Sequence, residues 1–323
     1  MSKTRYHEGL PDAVKLGWKL ADRVKQISRC HYIDSRVSLQ RFVSESIVWA
    51  LIKTAPDLDP AVKGGLLHDQ RTRATGDGDV MLQKQRSAVE LFGDVSAAAA
   101  LLREHGIMWF PGNVRPMSMG GRGFGFRIDV DARLGITRVR THLDVSFGAL
   151  PEGSVRKEFR SMFKAPNFTA WAQPLEAQVA DKLAAIVTIG MENTRLKDYR
   201  DLIFLKRIGL SDTAIARHLY ATMRERKADM ATLLQPVPDG LSFEFVDSRT
   251  WDWRGYAAPQ AGLSLNFLEV VCDLRHWYAD IMDHFHKLAA ADRLEPRRGM
   301  RAPGIETPED VNVYDLGAYR MAR

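Results

Sequence analysis

The amino-acid sequence predicts an α+β fold, with flanking helices around a mixed β-sheet core and then a helical C-terminal half. Three observations carry this. Apolar residues recur at helical spacing before residue 55. Two β-patterned runs, 124–130 and 137–147, follow one another through a short turn. From Pro174 onward the pattern is helical.

The elements follow in order. Val14, Trp18, Ala21, Val24 and Ile27 mark a first helix. A second, Val37 to Thr54, carries Leu39, Phe42, Val43, Ile47 and Leu51, with Ser35 as its expected cap. Pro56 and Pro60 punctuate the chain before an apolar stretch that runs into Gly64 and Gly65. Ser87 to Glu104 reads as one or two helices, with Gly93 a candidate interruption. A glycine-rich loop, Met119 to Gly125, precedes the two β-patterned runs, which join through Arg133-Leu-Gly135. Beyond Pro174, helices are expected over Leu175–Ile189, Asp198–Arg207, Asp212–Lys227 (capped by Ser211) and Ser264–Lys287. The boundary is placed near Pro166, giving regions 1–165 and 166–323, and residues from about Arg293 read as a tail.

The 323 residues suffice for a sizeable core. Two distant cysteines, Cys30 and Cys272, argue against a disulfide framework and fit a reducing compartment. The apolar runs are too short to span a bilayer and no charged-then-apolar leader opens the sequence, so a cytoplasmic location without membrane is expected. The formal net charge of +6 favours a polyanionic partner, nucleic acid above all. The plain alternative is a basic surface that keeps the chain soluble.

The chemistry concentrates in Val62-Lys-Gly-Gly-Leu-Leu-His-Asp-Gln-Arg-Thr-Arg-Ala-Thr-Gly-Asp-Gly-Asp-Val80. Backbone amides at Gly64 and Gly65 can approach an anion closely. On a strand, Asp77 and Asp79 point to one face, roughly 7 Å apart at the backbone. Such a pair can hold hard divalent cations, Mg²⁺ or Mn²⁺, which prefer carboxylate oxygen. A hairpin turn at Asp-Gly is the structural alternative. A calcium loop is excluded because Met81 stands where an oxygen ligand belongs. A P-loop is excluded because no Gly-Lys-Ser/Thr follows the glycines. A third acid, Asp144, lies within Thr141-His-Leu-Asp-Val-Ser-Phe147, as a metal ligand or as a base for an attacking hydroxyl. Asp129 and Asp131 rank below it because they lead into the turn.

These residues resemble the nucleotidyltransferase superfamily pattern: two small residues, a gap, Asp-x-Asp, then a third acid on a later strand. More narrowly, Lys63-Gly-Gly65 with Arg73-x-Thr-x-Asp-x-Asp79 resembles the AbiEii/AbiGii toxin family. Glu176-Ala-Gln-Val-Ala-Asp-Lys182 resembles that family's lysine-bearing helix, and Arg195-Leu-Lys-Asp198-Tyr-Arg-Asp201 its Arg-Asp-x-x-Asp motif, with Lys197 as a departure. The resemblance covers roughly residues 40–230.

It implies a nucleotidyltransferase-like core and transfer of a nucleoside monophosphate from an NTP, by the toxin of a toxin–antitoxin pair. MenT-type members act on the 3′ acceptor end of tRNA, which makes RNA the expected acceptor and an antitoxin an expected partner. Carried onto this sequence, Gly64, Gly65, Arg73 and Thr75 would bind nucleotide, and Asp77, Asp79 and Asp144 would bind Mg²⁺. Lys182 would neutralise the triphosphate and Asp198 would complete the site. Lys182→Ala is then expected to weaken NTP binding in an intact fold. The alternatives are a solvated lysine and, at Asp198 and Asp201, a solvated helix face. Gly76 and Gly78 depart from the family's Asp-hydrophobic-Asp and would loosen the strand. A small-molecule nucleotidyltransferase and a non-catalytic binding protein are the competing functions.

Weaker signals lie downstream. His276, Asp280 and His284 share a helix face that could hold a metal. Trp251-Asp-Trp-Arg-Gly-Tyr256 reads as a loop-rich segment whose aromatics anchor the core or stack on bases. Arg217, Arg224, Arg226 and Lys227 could contact phosphate, as could the tail arginines 293, 297, 298 and 301.

Overall fold

The computed structural model describes residues 11–68, 75–119, 123–225, 237–258, 263–264 and 266–294. The chain divides into two compact units, residues 1–174 and 175–323. The architecture is α+β: a mixed seven-stranded sheet with flanking helices, then a helical unit.

The first unit opens with α1 (Asp12–Cys30) and α2 (Ser35–Thr54). Asp34, rather than Ser35, caps α2: its Oδ1 accepts from the amides of Arg36 and Val37. Both residue types can cap, and the chain turns into the helix one residue earlier than the sequence signal suggested. Residues 41 to 51 of α2 are buried on every face. A short strand β1 (Ala61–Val62), a 3₁₀ turn (Gly64–Leu67) and β2 (Gly78–Leu82) follow. Then come α3 (Ala88–Glu104), β3 (Ile107–Met119), β4 (Gly123–Leu134), β5 (Thr137–Phe147), β6 (Val155–Phe159) and β7 (Phe168–Ala172). Gly93 does not interrupt α3, which starts from a reciprocal Ser87–Glu90 capping box.

The strand order is β3-β4-β5-β2-β1-β7-β6. Pairings β5/β2 and β1/β7 are parallel, and the others antiparallel. Alternation sets two faces on β4 and β5. Ile128, Val130, Ala132, Val139, Leu143 and Val145 are buried, in one core with Val43, Ile47 and Val48 of α2. Arg127, Asp129, Asp131, Arg138, Arg140, His142 and Asp144 occupy the opposite face.

The second unit holds α4 (Leu175–Ile189), α5 (Leu196–Lys206), α6 (Asp212–Glu225), α7 (Phe243–Ala257) and α8 (Phe267–Leu294). Its core joins Leu183, Ile186, Tyr199, Leu219, Trp253, Phe267 and Phe285. The Trp251–Tyr256 segment, expected as loop, is part of α7. Trp253 is fully buried and stacks on Phe267, whereas Trp251 is 85% exposed. Among the described residues no helix is long and apolar enough to cross a membrane.

Candidate functional site

The polar face of the first unit's sheet gathers the acids. In the parallel β2/β5 register Asp79 sits beside Asp144. Asp77 immediately precedes β2, two residues before Asp79. His142 Nε2 lies 3.7 Å from Asp77 Oδ1 and 3.8 Å from Asp144 Oδ2, which ties Asp77 to the same face. Asp129 and Asp131 are engaged elsewhere: Asp129 pairs with Arg115 at 2.6 Å, and Asp131 with Arg138.

The glycine loop closes over this face. Gly64 has φ +58°, a left-handed conformation that glycine adopts freely. A Cβ there would stand 2.2 Å from Asp79 Oδ2, so only a glycine lets the loop lie against that carboxylate. At Gly65 a Cβ would meet Thr75 Oγ1 at 2.6 Å, so Thr75 packs into the same turn. Arg73 lies outside the described residues.

Helix α2 braces both segments from behind. Arg41 is buried and donates from Nε to Glu45 Oε1 (2.5 Å), from Nη1 to the Gly65 carbonyl (2.8 Å) and from Nη2 to the Leu66 carbonyl (2.9 Å). The Ser44 and Thr141 hydroxyls both donate to the Gly76 carbonyl at 2.8 Å, just before Asp77. Cβ atoms at Gly76 and Gly78 would stand 2.5 Å from Gln40 Cβ and 2.8 Å from Leu143 Cδ1. The glycine spacers therefore let α2 and β5 press against the Asp-bearing strand. The loosening expected from composition is opposed by this packing.

Arg127 of β4 faces Asp144 across the β4/β5 pair and donates to both its oxygens, Nε to Oδ1 and Nη2 to Oδ2, each at 2.7 Å. The hydrogen bond to Asp144 is the main influence raising the Arg127 pKa. Partial burial opposes it, and the charges of Asp144, Asp77 and Asp79 add to it. The Asp144 side chain is less exposed than that of Asp77, 16% against 38%.

The donor set suits a hard divalent cation: carboxylates on one face, with a glycine turn beside them. Among the described residues, no three acidic, histidine or cysteine side chains already close on one point as a metal site would require. The α8 trio His276, Asp280 and His284 falls under the same finding, and His284 Nδ1 instead lies 3.2 Å from Thr213 Oγ1.

Lys182, Asp198 and Asp201 form a separate network inside the second unit. Lys182 Nζ donates to Asp198 Oδ1 at 2.8 Å and to Asp201 Oδ2 at 2.6 Å. Arg195 Nε reaches Asp198 Oδ2 at 2.7 Å. The lysine side chain is 9% exposed and the two carboxylates 0% and 1%. This corrects the solvated-face alternative: α4 and α5 turn these charges inward, where pairing replaces water. Burial works to raise the Asp198 pKa, but the charges of Lys182 and Arg195 and the lysine hydrogen bond outweigh it. The carboxyl is held below its ordinary range.

Sequence reading missed Arg41, Ser44, Arg127 and His142. Arg41 and Glu45 did leave a signal, as an i,i+4 charged pair amid Phe42, Val43 and Ile47 in a helix otherwise read as core. Arg127 left none, because an arginine on an alternating strand reads as its solvated face.

The model of one family, described as nucleotidyl transferase AbiEii toxin of type IV toxin–antitoxin systems, matches residues 59–278. No curated protein matches the chain. Among solved structures, MenT4, a nucleotidyltransferase toxin from Mycobacterium tuberculosis, is 15% identical, with TM-score 0.47, covering 83% of this chain and 97% of its own. JHP933 from Helicobacter pylori is 16% identical, with TM-score 0.40, covering 79% of this chain and 97% of its own. A putative nucleotidyltransferase from H. pylori is 17% identical, with TM-score 0.42, covering 77% and 97%.

Proposed function

Because the chain belongs to the AbiEii nucleotidyl transferase toxin family of type IV toxin–antitoxin systems, we propose that Asp77, Asp79 and Asp144 form its nucleotidyl-transfer centre, with RNA as acceptor. The observation that carries this is the Asp79–Asp144 pairing in parallel register, with Asp77 on the same face and Gly64 against Asp79. The family implies an NTP substrate and an antitoxin partner. Divalent metal held by the three carboxylates would orient the triphosphate and neutralise charge on the departing pyrophosphate. Amides of the Gly64–Gly65 turn supply anion contacts, held in place by Arg41 behind them. Thr75 supports that turn, and Arg73 is assigned to nucleotide by the motif alone. The acceptor hydroxyl bonds to the α-phosphorus, the bond to the bridging oxygen breaks, and pyrophosphate leaves. Asp144, as ligand or base, serves the attacking oxygen.

In the second unit, Lys182 is assigned to the triphosphate by the motif alone, and Asp198 holds its ammonium. An RNA acceptor, with the 3′ end of tRNA as the specific candidate, is supported by the +6 charge. It is also supported by arginines 115, 133, 138 and 140, exposed on the sheet that bears the acids, and by exposed Arg217 and Arg224 on α6.

The test is to incubate the protein with Mg²⁺, each α-³²P-labelled NTP and total tRNA, and separately with protein or aminoglycoside acceptors. The reading expects label in tRNA, with transfer falling steeply as salt rises. Label entering only protein or aminoglycoside would overturn the RNA acceptor. No label in any acceptor would favour a non-catalytic binding role.

A further inference from the structure

Arg127 stands outside every motif that pointed to the site. Three carboxylates share one sheet face, and Arg127 is the cation placed on Asp144. It holds both Asp144 oxygens in a two-pronged, planar contact at 2.7 Å. Such a contact fits a carboxylate better than a lysine could. It occupies one lone pair on each Asp144 oxygen and neutralises the carboxylate, so a divalent cation that binds there meets a competitor. His142 lies between Asp77 and Asp144 without a hydrogen-bond-length contact to either carboxylate, so the guanidinium is the stronger claim on Asp144.

We propose that Arg127 is the resident counter-cation of the carboxylate site, which divalent metal displaces from Asp144. The guanidinium side chain is 39% exposed, so it has solvent to turn into when it leaves. Once released it is a planar cation at the rim of a site built for phosphate, and it engages the triphosphate. Metal and nucleotide binding then reinforce each other: metal frees the arginine for phosphate, and phosphate removes the metal's competitor. By reciprocity the coupling is the same from either side. The inference rests on the proposed transfer centre and adds a gate to it.

The experiment is calorimetric titration of the full chain with Mn²⁺, alone and in the presence of a non-hydrolysable NTP analogue. It compares wild type, Arg127→Met and Arg127→Lys, with circular dichroism to verify folding. Arg127→Met should bind Mn²⁺ alone about tenfold more tightly than wild type, the scale of a lost two-pronged charged contact in a partly exposed site. The analogue should tighten Mn²⁺ binding more in wild type than in Arg127→Met. Arg127→Lys, which covers only one oxygen at a time, should fall between, and carries the test if the methionine variant does not fold. Mn²⁺ affinity that is unchanged or weaker in the folded variants would overturn the gate. In wild type, nucleotidyl transfer to an acceptor reports on the centre itself, so a failed gate with intact transfer leaves the proposed function standing.

Discussion

Two charged clusters use the same residue types to opposite ends. On the first unit's sheet, Asp77, Asp79 and Asp144 are set close together on a partly exposed face, with Arg127 on Asp144. Inside the second unit, Asp198 and Asp201 are closed around Lys182 with almost no exposure. The first cluster gathers three carboxylates at a surface that solvent and ligand can reach, with the Arg127 guanidinium as a cation beside it. In the second, Lys182 and Arg195 balance the two carboxylates within the fold. An open, like-charged group depends on what binds it, whereas a closed, neutralised group belongs equally to stability. Substitutions that separate activity from stability should therefore sort the two clusters.

The largest expected effect is on stability, at Lys182. Removing it takes away the cation that two buried carboxylates share, and breaking such a buried ion pair costs about 3–5 kcal/mol. Lys182→Ala should lower the unfolding free energy by that amount, read as a lower midpoint in a urea titration with an unchanged m-value. This revises the expectation of an intact fold drawn from sequence, because there the lysine was read without its two buried partners. A midpoint within error of wild type would dissolve the contrast between the clusters.

Next is Asp79→Asn, which should reduce kcat/KM for nucleotidyl transfer by roughly 10²–10³-fold, the scale of several kcal/mol of metal-assisted charge stabilisation. Its folding stability should fall by less than that of Lys182→Ala, because asparagine keeps the side chain's shape and one acceptor oxygen on a partly exposed face. Gly64→Ala follows. It forces a Cβ against Asp79 Oδ2 at a left-handed backbone position, at a cost of about 1–3 kcal/mol. The expected signature is weaker NTP binding measured by equilibrium titration.

The smallest effect sharpens the comparison through pH. Asp198 has a depressed pKa when folded, so its contribution to stability is present above the unfolded carboxylate value near 3.9 and is lost as pH falls through the folded value. Acid unfolding followed by circular dichroism should therefore be shallower below about pH 4 in Asp198→Asn. Equal acid sensitivity in the two proteins would remove Asp198 as the cause.

Much of the fold was legible because period and alternation report on burial. Leu175–Ile189 and Thr137–Phe147 were read to the residue, the strand from its alternation and the helix from a long apolar stretch that is buried nearly all round. Strands β1 and β7 were not. Two and five residues long, they are set by pairing with distant partners rather than by local pattern. The Trp251–Tyr256 segment was misread because charges between aromatics hid a helix whose Trp253 is buried and whose Trp251 is not. At the site, the acids were visible as a spacing, but their partners were not. Arg127 meets Asp144 only through the β4/β5 register, and Arg41 meets Gly65 only through the packing of α2.

The central claim is that the open cluster is the transfer centre. Its most direct test is a single-turnover assay of wild type and Asp79→Asn with α-³²P- and γ-³²P-labelled NTP, Mg²⁺ and tRNA. In wild type, α-label should enter the RNA and γ-label should leave as pyrophosphate, with both signals lost in a folded Asp79→Asn variant. Transfer by Asp79→Asn at the wild-type rate would contradict the account.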